Sequence, residues 1–367
     1  MSPGHGRDIG SYAGGVRPPE PLPTWAQLRS LGAEHGIDHL GVTSADVLDR
    51  ARRALHDRKA AGLDGGMAFT YRNPDRSTDP QRTVVGARSI IVGAHAYWTE
   101  EEPPRTAGPQ ARVARYAWVD HYAPLRAGLQ AIVRCLKDAG ERAVAVVDDN
   151  AMVDREVAHR AGLGWFGKNA NLLLSGAGSW FVLGSVITTA AYEPAETVAP
   201  DGCGSCRRCI DACPTGAIVA PGVIDANRCL AWVLQRPGPI PEELRTAIGD
   251  RIYGCDDCQE SCPPTVRLGR RHSVPLAPDS RAWVDVLDLL DADDATLLER
   301  HGHWYIAGRD PRWLRRNALV VLGNCADPQD PRVAVTLARY RHGGDSVLTE
   351  HAEWASTRLG LVSTARP

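Results

Sequence analysis

Eight of the ten cysteines in this chain fall between Cys203 and Cys262, and their spacing constrains the fold more than any other feature. The first run, Cys203-x2-Cys206-x2-Cys209-x3-Cys213-Pro214, has the spacing of a bacterial [4Fe–4S] ferredoxin. The second, Cys255-x2-Cys258-x3-Cys262-Pro263, is one cysteine short, and Cys229 between the runs can supply the missing ligand. Eight thiolates make two cubanes. In two-cluster ferredoxins the cysteine before the proline ligates the other cluster. That rule places Cys203, Cys206, Cys209 and Cys262 on one cluster, and Cys229, Cys255, Cys258 and Cys213 on its partner. Paired CxxC motifs also hold zinc, and secreted chains pair cysteines in disulfides. The CxxCxxCxxxCP run weighs against both, and a chain built around it moves single electrons.

At 367 residues the chain has room for two or three domains, each with its own core. A net charge of −2 means that any nucleic-acid contact must come from a local basic patch. No apolar run approaches the ~20 residues of a membrane span. Residues 1–24 are rich in Gly and Pro and read as a disordered lead with no signal peptide and no twin arginine. Eight cluster-ligating thiolates without an export signal fit a reducing cytoplasm. Cys135 and Cys325 lie on helical patterns and are expected to be small buried residues.

Short apolar strands (39–42, 89–96, 143–147 and 180–188) alternate with helical spacing (25–36, 45–61, 124–139 and 154–161), which predicts an α/β domain over 25–194. A Pro-rich stretch precedes the cysteine domain, placed at 195–270. The remainder, 271–367, is helical. Asp310-Pro311-Arg312 and Asp330-Pro331-Arg332 recur twenty residues apart as helix starts, and the apolar faces behind them suggest a small HEAT-like stack.

Outside the cysteines, the most distinctive stretch is Val147-Asp148-Asp149-Asn150, then Asp154-Arg155, then Ala161-Gly162-Leu163-Gly164-Trp165-Phe166-Gly167-Lys168-Asn169. Asp148 ends a hydrophobic strand, at the edge where open α/β sheets bind ligands. A carboxylate there is a candidate general acid, although either Asp148 or Asp149 could simply cap the next helix. The glycines at 162, 164 and 167 would allow a bulky planar ligand to approach, with Asn169 offering amide hydrogen bonds. No dinucleotide or phosphate-loop fingerprint appears.

Taken with Gly178-Ser179, Asp250-Arg251-Ile252-Tyr253-Gly254-Cys255-Asp256-Asp257-Cys258-Gln259 and Arg316-Asn317-Ala318, this stretch resembles the epoxyqueuosine reductases. The likeness runs from about Leu28 to Gly360 and includes the 116–120 segment and His351-Ala352-Glu353-Trp354-Ala355. It implies two [4Fe–4S] clusters, a cobalamin, and reduction of epoxyqueuosine to queuosine at the tRNA wobble position, the last step of queuosine biosynthesis. It further implies that Asp148 matches the family's proton donor. Arg76, Val113, Asp148, Asp154, Asn169, Leu172 and Leu183 would match positions lining the corrinoid. The chain departs from the family at Asp120-His121-Tyr122, where Asp-Tyr-His is usual, and at Asp149-Asn150-Ala151, where Ser, Thr or Pro are usual. No Asp-x-His-x-x-Gly is present, so no protein histidine is expected on cobalt.

The resemblance also implies tRNA as partner, gripped through the anticodon arm, and an external low-potential electron donor. Candidate phosphate contacts are Arg267, Arg270, Arg271 and His272, with Arg312, Arg315 and Arg316 in one helix. Two other readings fit the cysteines: a reductase of another substrate, like the reductive dehalogenases, and a plain electron-transfer module.

Overall fold

The computed structural model describes residues 20–362. Most of the expected disordered lead, 1–19, lies outside the described residues. At Thr24 a capping box with Gln27 starts the Trp25–Glu34 helix.

A four-stranded sheet forms the first layer. Its strand order is His39–Ser44, Ser89–Ala96, Phe181–Thr188, Ala143–Val147, and every neighbouring pair is antiparallel. The predicted strands are present, but the sheet is not of the parallel type whose carboxyl edge marks a ligand site. The Phe181–Thr188 strand inserts between two strands that precede it in sequence. Strand ends of both polarities therefore share each edge, and Val147 pairs with Gly184. The Ser89–Ala96 strand is nearly uniformly apolar because both of its faces are covered. Ile91 packs with Leu125, Leu129, Ile132 and Leu136 of the Tyr122–Asp138 helix. Ile90 and Val92 pack on the opposite side with Leu48, Val157 and Ala158.

The cysteine segment follows as short helices and a two-stranded ribbon (Ile218–Ala220 with Val223–Ile224). Its later part joins a second core. Strand Arg251–Tyr253 pairs in parallel with Gln110–Val113, which pairs antiparallel with Trp283–Asp285. Val233, Leu234 and Ile252 share one apolar cluster with Leu314, Ala318, Leu322, Ala352 and Ala355 of the C-terminal helices. That core runs unbroken across residue 270.

The Arg312–Cys325 helix packs on Ser346–Arg358, and both contribute the apolar faces read from spacing. Asp330 accepts a hydrogen bond from the amide of Arg332 at 3.0 Å and caps the Pro331–Arg341 helix. Asp310 also accepts from the Arg312 amide at 3.0 Å, but it is not the cap expected there: that helix begins one residue later, after Pro311, and has no side-chain cap. Cys325, expected to be buried, is exposed at the end of its helix, and Cys135 is half-buried. Among the described residues no helix is long and apolar enough to cross a membrane.

Candidate active site

Asp148 stands immediately beyond the Ala143–Val147 strand, with φ at +49°. Non-glycine residues seldom adopt this left-handed conformation, and Asp and Asn tolerate it best. Neither Asp148 nor Asp149 caps the following helix: the Asp154–Arg160 helix starts after Val153 without a side-chain cap, and Asp149 Oδ1 accepts from the Ala151 amide at 2.7 Å. The Asp148 side chain reaches solvent but is hemmed in by protein. Desolvation is the largest influence and raises its pKa; Arg126 opposes this, while Asp120 and Asp149 add to it.

Asp154 opens the next helix and accepts a hydrogen bond from Ser185 Oγ at 3.0 Å. Burial pushes its carboxyl up to about 8 despite that bond, with the negative potential of Asp148 adding to the shift. Asp154 therefore holds its proton well above the range of an ordinary carboxyl. Tyr122 lies within electrostatic reach of both carboxyls, and burial raises its phenol strongly. Buried Tyr97 accepts from Gln259 Nε2 at 3.2 Å, and the Asp148 field also reaches Tyr253. Sequence reasoning missed this wall of tyrosines, although Tyr122 was visible as part of the altered Asp120-His121-Tyr122 triplet. Within that triplet Asp120 Oδ1 accepts from the amides of Tyr122 and Ala123 at the start of a helix. His121 turns instead to Tyr97 and His95, with ring centroids 5.5 and 6.3 Å away, and burial lowers its pKa to about 4.

The eight cysteines are free thiols, and their electrostatic contacts fall into two neighbouring sets. Cys209 lies within electrostatic reach of Cys203, Cys206 and Cys262. Cys258 feels Cys255 and Cys229, and Cys229 feels Cys213. Burial is the main influence raising the Cys209, Cys229, Cys255 and Cys258 thiols, with Cys255 pushed up to about 12. The Ala217 amide donates to Cys213 Sγ at 3.2 Å, the kind of N–H···S contact that tunes cluster potential.

Two consecutive side chains join the glycine-rich loop to both groups. Lys168 Nζ donates to the carbonyls of Gly204 (2.5 Å) and Cys206 (2.9 Å), and Asn169 Nδ2 donates to the carbonyl of Cys258 at 3.1 Å. The Asn169 amide, expected to face a ligand, thus fastens the cysteine loop, and its Oδ1 accepts from the Asn171 amide. The glycines also differ from expectation, because the chain itself fills the space beside them. A Cβ on Gly164 would lie 2.1 Å from the Leu173 carbonyl oxygen, one on Gly167 would lie 2.5 Å from Leu173 Cδ1, and one on Gly162 would lie 2.8 Å from the Thr197 carbonyl oxygen.

Of the remaining predicted residues, Leu183 is half-buried on the strand facing Asp148, and Leu172 is buried beside it in the same apolar cluster. Arg76 Nη1 donates to Asn150 Oδ1 at 3.2 Å, on the wall of a cavity of ≈ 280 Å³ that also meets Phe69, Arg72, Asn73 and Ser77. Val113 is placed apart from these, in the second core, with its carbonyl accepting from Trp118 Nε1. Arg267, Arg270 and Arg271 are exposed. The basic helix is not a free surface. Arg312 pairs with Asp310 and Asp345, Arg315 pairs with Asp294, and Arg316 is fully buried.

Two sets of cysteines, tied through Lys168 and Asn169 to the segment that follows Asp148 and Asp154, define an iron–sulfur oxidoreductase. Residues 202–265 match the family described as a 4Fe-4S double cluster binding domain, and residues 77–154 match epoxyqueuosine reductase QueG, DUF1730. The epoxyqueuosine reductase of Xanthomonas campestris is 36% identical over 361 residues, covering 94% of this chain and 98% of that protein. The Bacillus subtilis enzyme is 34% identical, covering 89% and 85%. A crystal structure of an epoxyqueuosine reductase with an epoxyqueuosine-modified tRNA-Tyr stem loop superposes with a TM-score of 0.83 at 31% identity, covering 91% of this chain and 90% of that one. The Streptococcus thermophilus enzyme gives 0.80 at 29% identity, with coverage of 92% and 90%. The chain belongs to the epoxyqueuosine reductases, and it carries two [4Fe–4S] clusters.

Proposed function

We propose that this protein reduces epoxyqueuosine to queuosine in tRNA, using a cobalamin held between the sheet and the cysteine module. The carrying observation is the joint at Asn169, which fastens the Cys258 loop to the segment that follows Asp148 and Asp154. The residues around Asp148 and Asp154 fit a corrinoid, whose rim is uncharged carboxamide. Asp154 in its acid form, buried Tyr97 and half-buried Tyr122 offer uncharged polar contacts, and Leu183 offers an aliphatic one. Arg76 and Leu172 complete the proposed lining; Val113, whose carbonyl and amide are both paired within the second core, does not belong to it. When bound, that cofactor supplies the two-electron reducing chemistry.

The ligand sets are Cys203, Cys206, Cys209, Cys262 and Cys213, Cys229, Cys255, Cys258. The reaction consumes two electrons and two protons, opens the epoxide's C–O bonds to leave an alkene, and releases water. Asp148 is the acid that protonates the departing oxygen; its raised pKa keeps the proton available nearer neutrality. Electrons arrive singly from an external low-potential donor. The 271–367 helices, read as a HEAT-like stack, and exposed Arg267, Arg270 and Arg271 grip the anticodon arm, and the setting is cytoplasmic. The test is anaerobic purification with added cobalamin, incubation with epoxyqueuosine-containing tRNA, and mass analysis of the nucleosides. Queuosine is expected. A protein that binds iron and sulfide but no corrinoid, and leaves the epoxide intact, is instead an electron carrier.

A further inference from the structure

The Arg312–Cys325 helix belongs to the C-terminal region, yet its second turn is buried against the stems of two cluster cysteines. Arg316 is fully buried, and its guanidinium addresses main-chain carbonyls. Nη1 donates to Arg236 (2.8 Å) and Gly238 (2.5 Å), and Nη2 donates to Val233 and Leu234 (3.2 Å each). Asn317 Oδ1 accepts from the same guanidinium. Asn317 Nδ2 donates to the carbonyls of Leu234 (2.8 Å) and Ile252 (3.0 Å). Leu234 ends the short helix that starts directly after Cys229, and Ile252 lies three residues before Cys255 in strand Arg251–Tyr253. One amide thus bridges the stems of two cysteines placed on the same cluster. The rigid guanidinium fork satisfies the carbonyls that a helix end leaves open.

We propose that Arg316 and Asn317 are positioning residues for the second cluster, holding the Cys229 and Cys255 stems at the separation a cubane requires. This makes occupancy of that cluster depend on a helix outside the cysteine module. The inference rests on the ligand sets proposed above. Partners that orient metal ligands commonly affect metal affinity by about 10–100-fold.

The experiment uses the full chain, reconstituted anaerobically, as wild type, Asn317→Asp, Arg316→Lys and Asn324→Ala. Aspartate keeps the shape of Asn317 but cannot donate, and lysine keeps the charge of Arg316 but loses the fork. Asn324 is the control: from the same helix its Nδ2 donates to the carbonyls of Arg245 and Gly249 at 2.8 and 3.2 Å, at the end of a different helix. Readouts are iron per chain, the EPR spectrum of the reduced protein, and the rate of iron loss to a chelator. Asn317→Asp is expected to fall from about eight irons to about four, keeping the first cluster's signal. Arg316→Lys is expected to lose the second cluster about 10–100-fold faster than wild type, and Asn324→Ala to match wild type. Full iron in Asn317→Asp, or equal losses in Asn324→Ala, would overturn the proposal. If Asn317→Asp does not fold, wild-type chelation kinetics in Arg316→Lys would overturn it. A wild type holding a single cluster would instead overturn the ligand sets beneath it.

Discussion

Replacing Asp148 by Asn removes one ionisable proton and little else. The residue occupies φ +49°, where Asn is among the few side chains tolerated at small cost, so the loop should keep its shape. Alanine differs: left-handed backbone costs such a residue about 1–2 kcal/mol. Asp148→Ala should therefore be measurably less stable than Asp148→Asn, which should unfold like wild type. A positioned general acid contributes about 10²–10⁴-fold in rate, or about 3–5 kcal/mol of barrier at 1.36 kcal/mol per decade. Asp148→Asn should lose turnover by that factor while keeping wild-type iron and cobalamin. The pH dependence supplies the sign. Desolvation raises the Asp148 pKa, so the wild-type rate should fall as pH rises through that pKa and the proton is lost. The residual rate of the Asn variant should lack this limb. The assay is single-turnover conversion of an epoxyqueuosine stem loop under anaerobic conditions, read by nucleoside mass analysis from pH 5 to 9. Wild-type turnover in Asp148→Asn, or an unchanged pH limb, would refute the role of Asp148 as proton donor.

Cys262→Ser should abolish the cluster built on Cys203, Cys206 and Cys209 and spare the other, as judged by iron content and EPR; loss of the other cluster would show that the ligand sets do not cross. Gly164→Ala should destabilise the fold by about 1–3 kcal/mol in chemical denaturation, as overpacking does, because its Cβ would fall 2.1 Å from the Leu173 carbonyl oxygen. Asp154 has a folded pKa of about 8, raised from its ordinary 3.8. Its stabilising contribution is complete below the unfolded value, falls as pH rises between the two, and is gone above the folded one. In the cobalamin-free protein, Asp154→Asn should therefore gain melting temperature relative to wild type on going from pH 6 to pH 9. A difference that stays constant over that range would contradict the raised pKa of Asp154.

The readable parts of the chain are those where one local rule dominates. Ser89–Ala96 falls where an apolar run placed it, because a strand covered on both faces needs a continuous apolar run; Ala143–Val147 also falls on its apolar run, although it is an edge strand with Val144 exposed. The cysteine spacing is legible because cubane geometry leaves few alternatives. Local patterns say nothing of strand order, so the antiparallel arrangement was hidden, and with it the pairing that sets Leu183 beside Asp148. Arg316 misled for a related reason. Beside Arg312 and Arg315 it reads as one more basic residue, but only the tertiary fold brings the carbonyls of 233–238 to it. The glycines of 162–167 were legible as close approaches, but not as approaches to the chain itself. The tyrosine wall draws on Tyr97, Tyr122 and Tyr253, which are far apart in sequence and meet only in the folded protein.

The most direct measurement is rapid-freeze EPR on anaerobic protein loaded with cobalamin and reduced by a low-potential donor. About eight irons per chain, with cluster signals that decay as cobalt becomes reduced, is the predicted result. Fully reduced clusters that leave a bound corrinoid untouched would contradict electron delivery through the Cys258 loop.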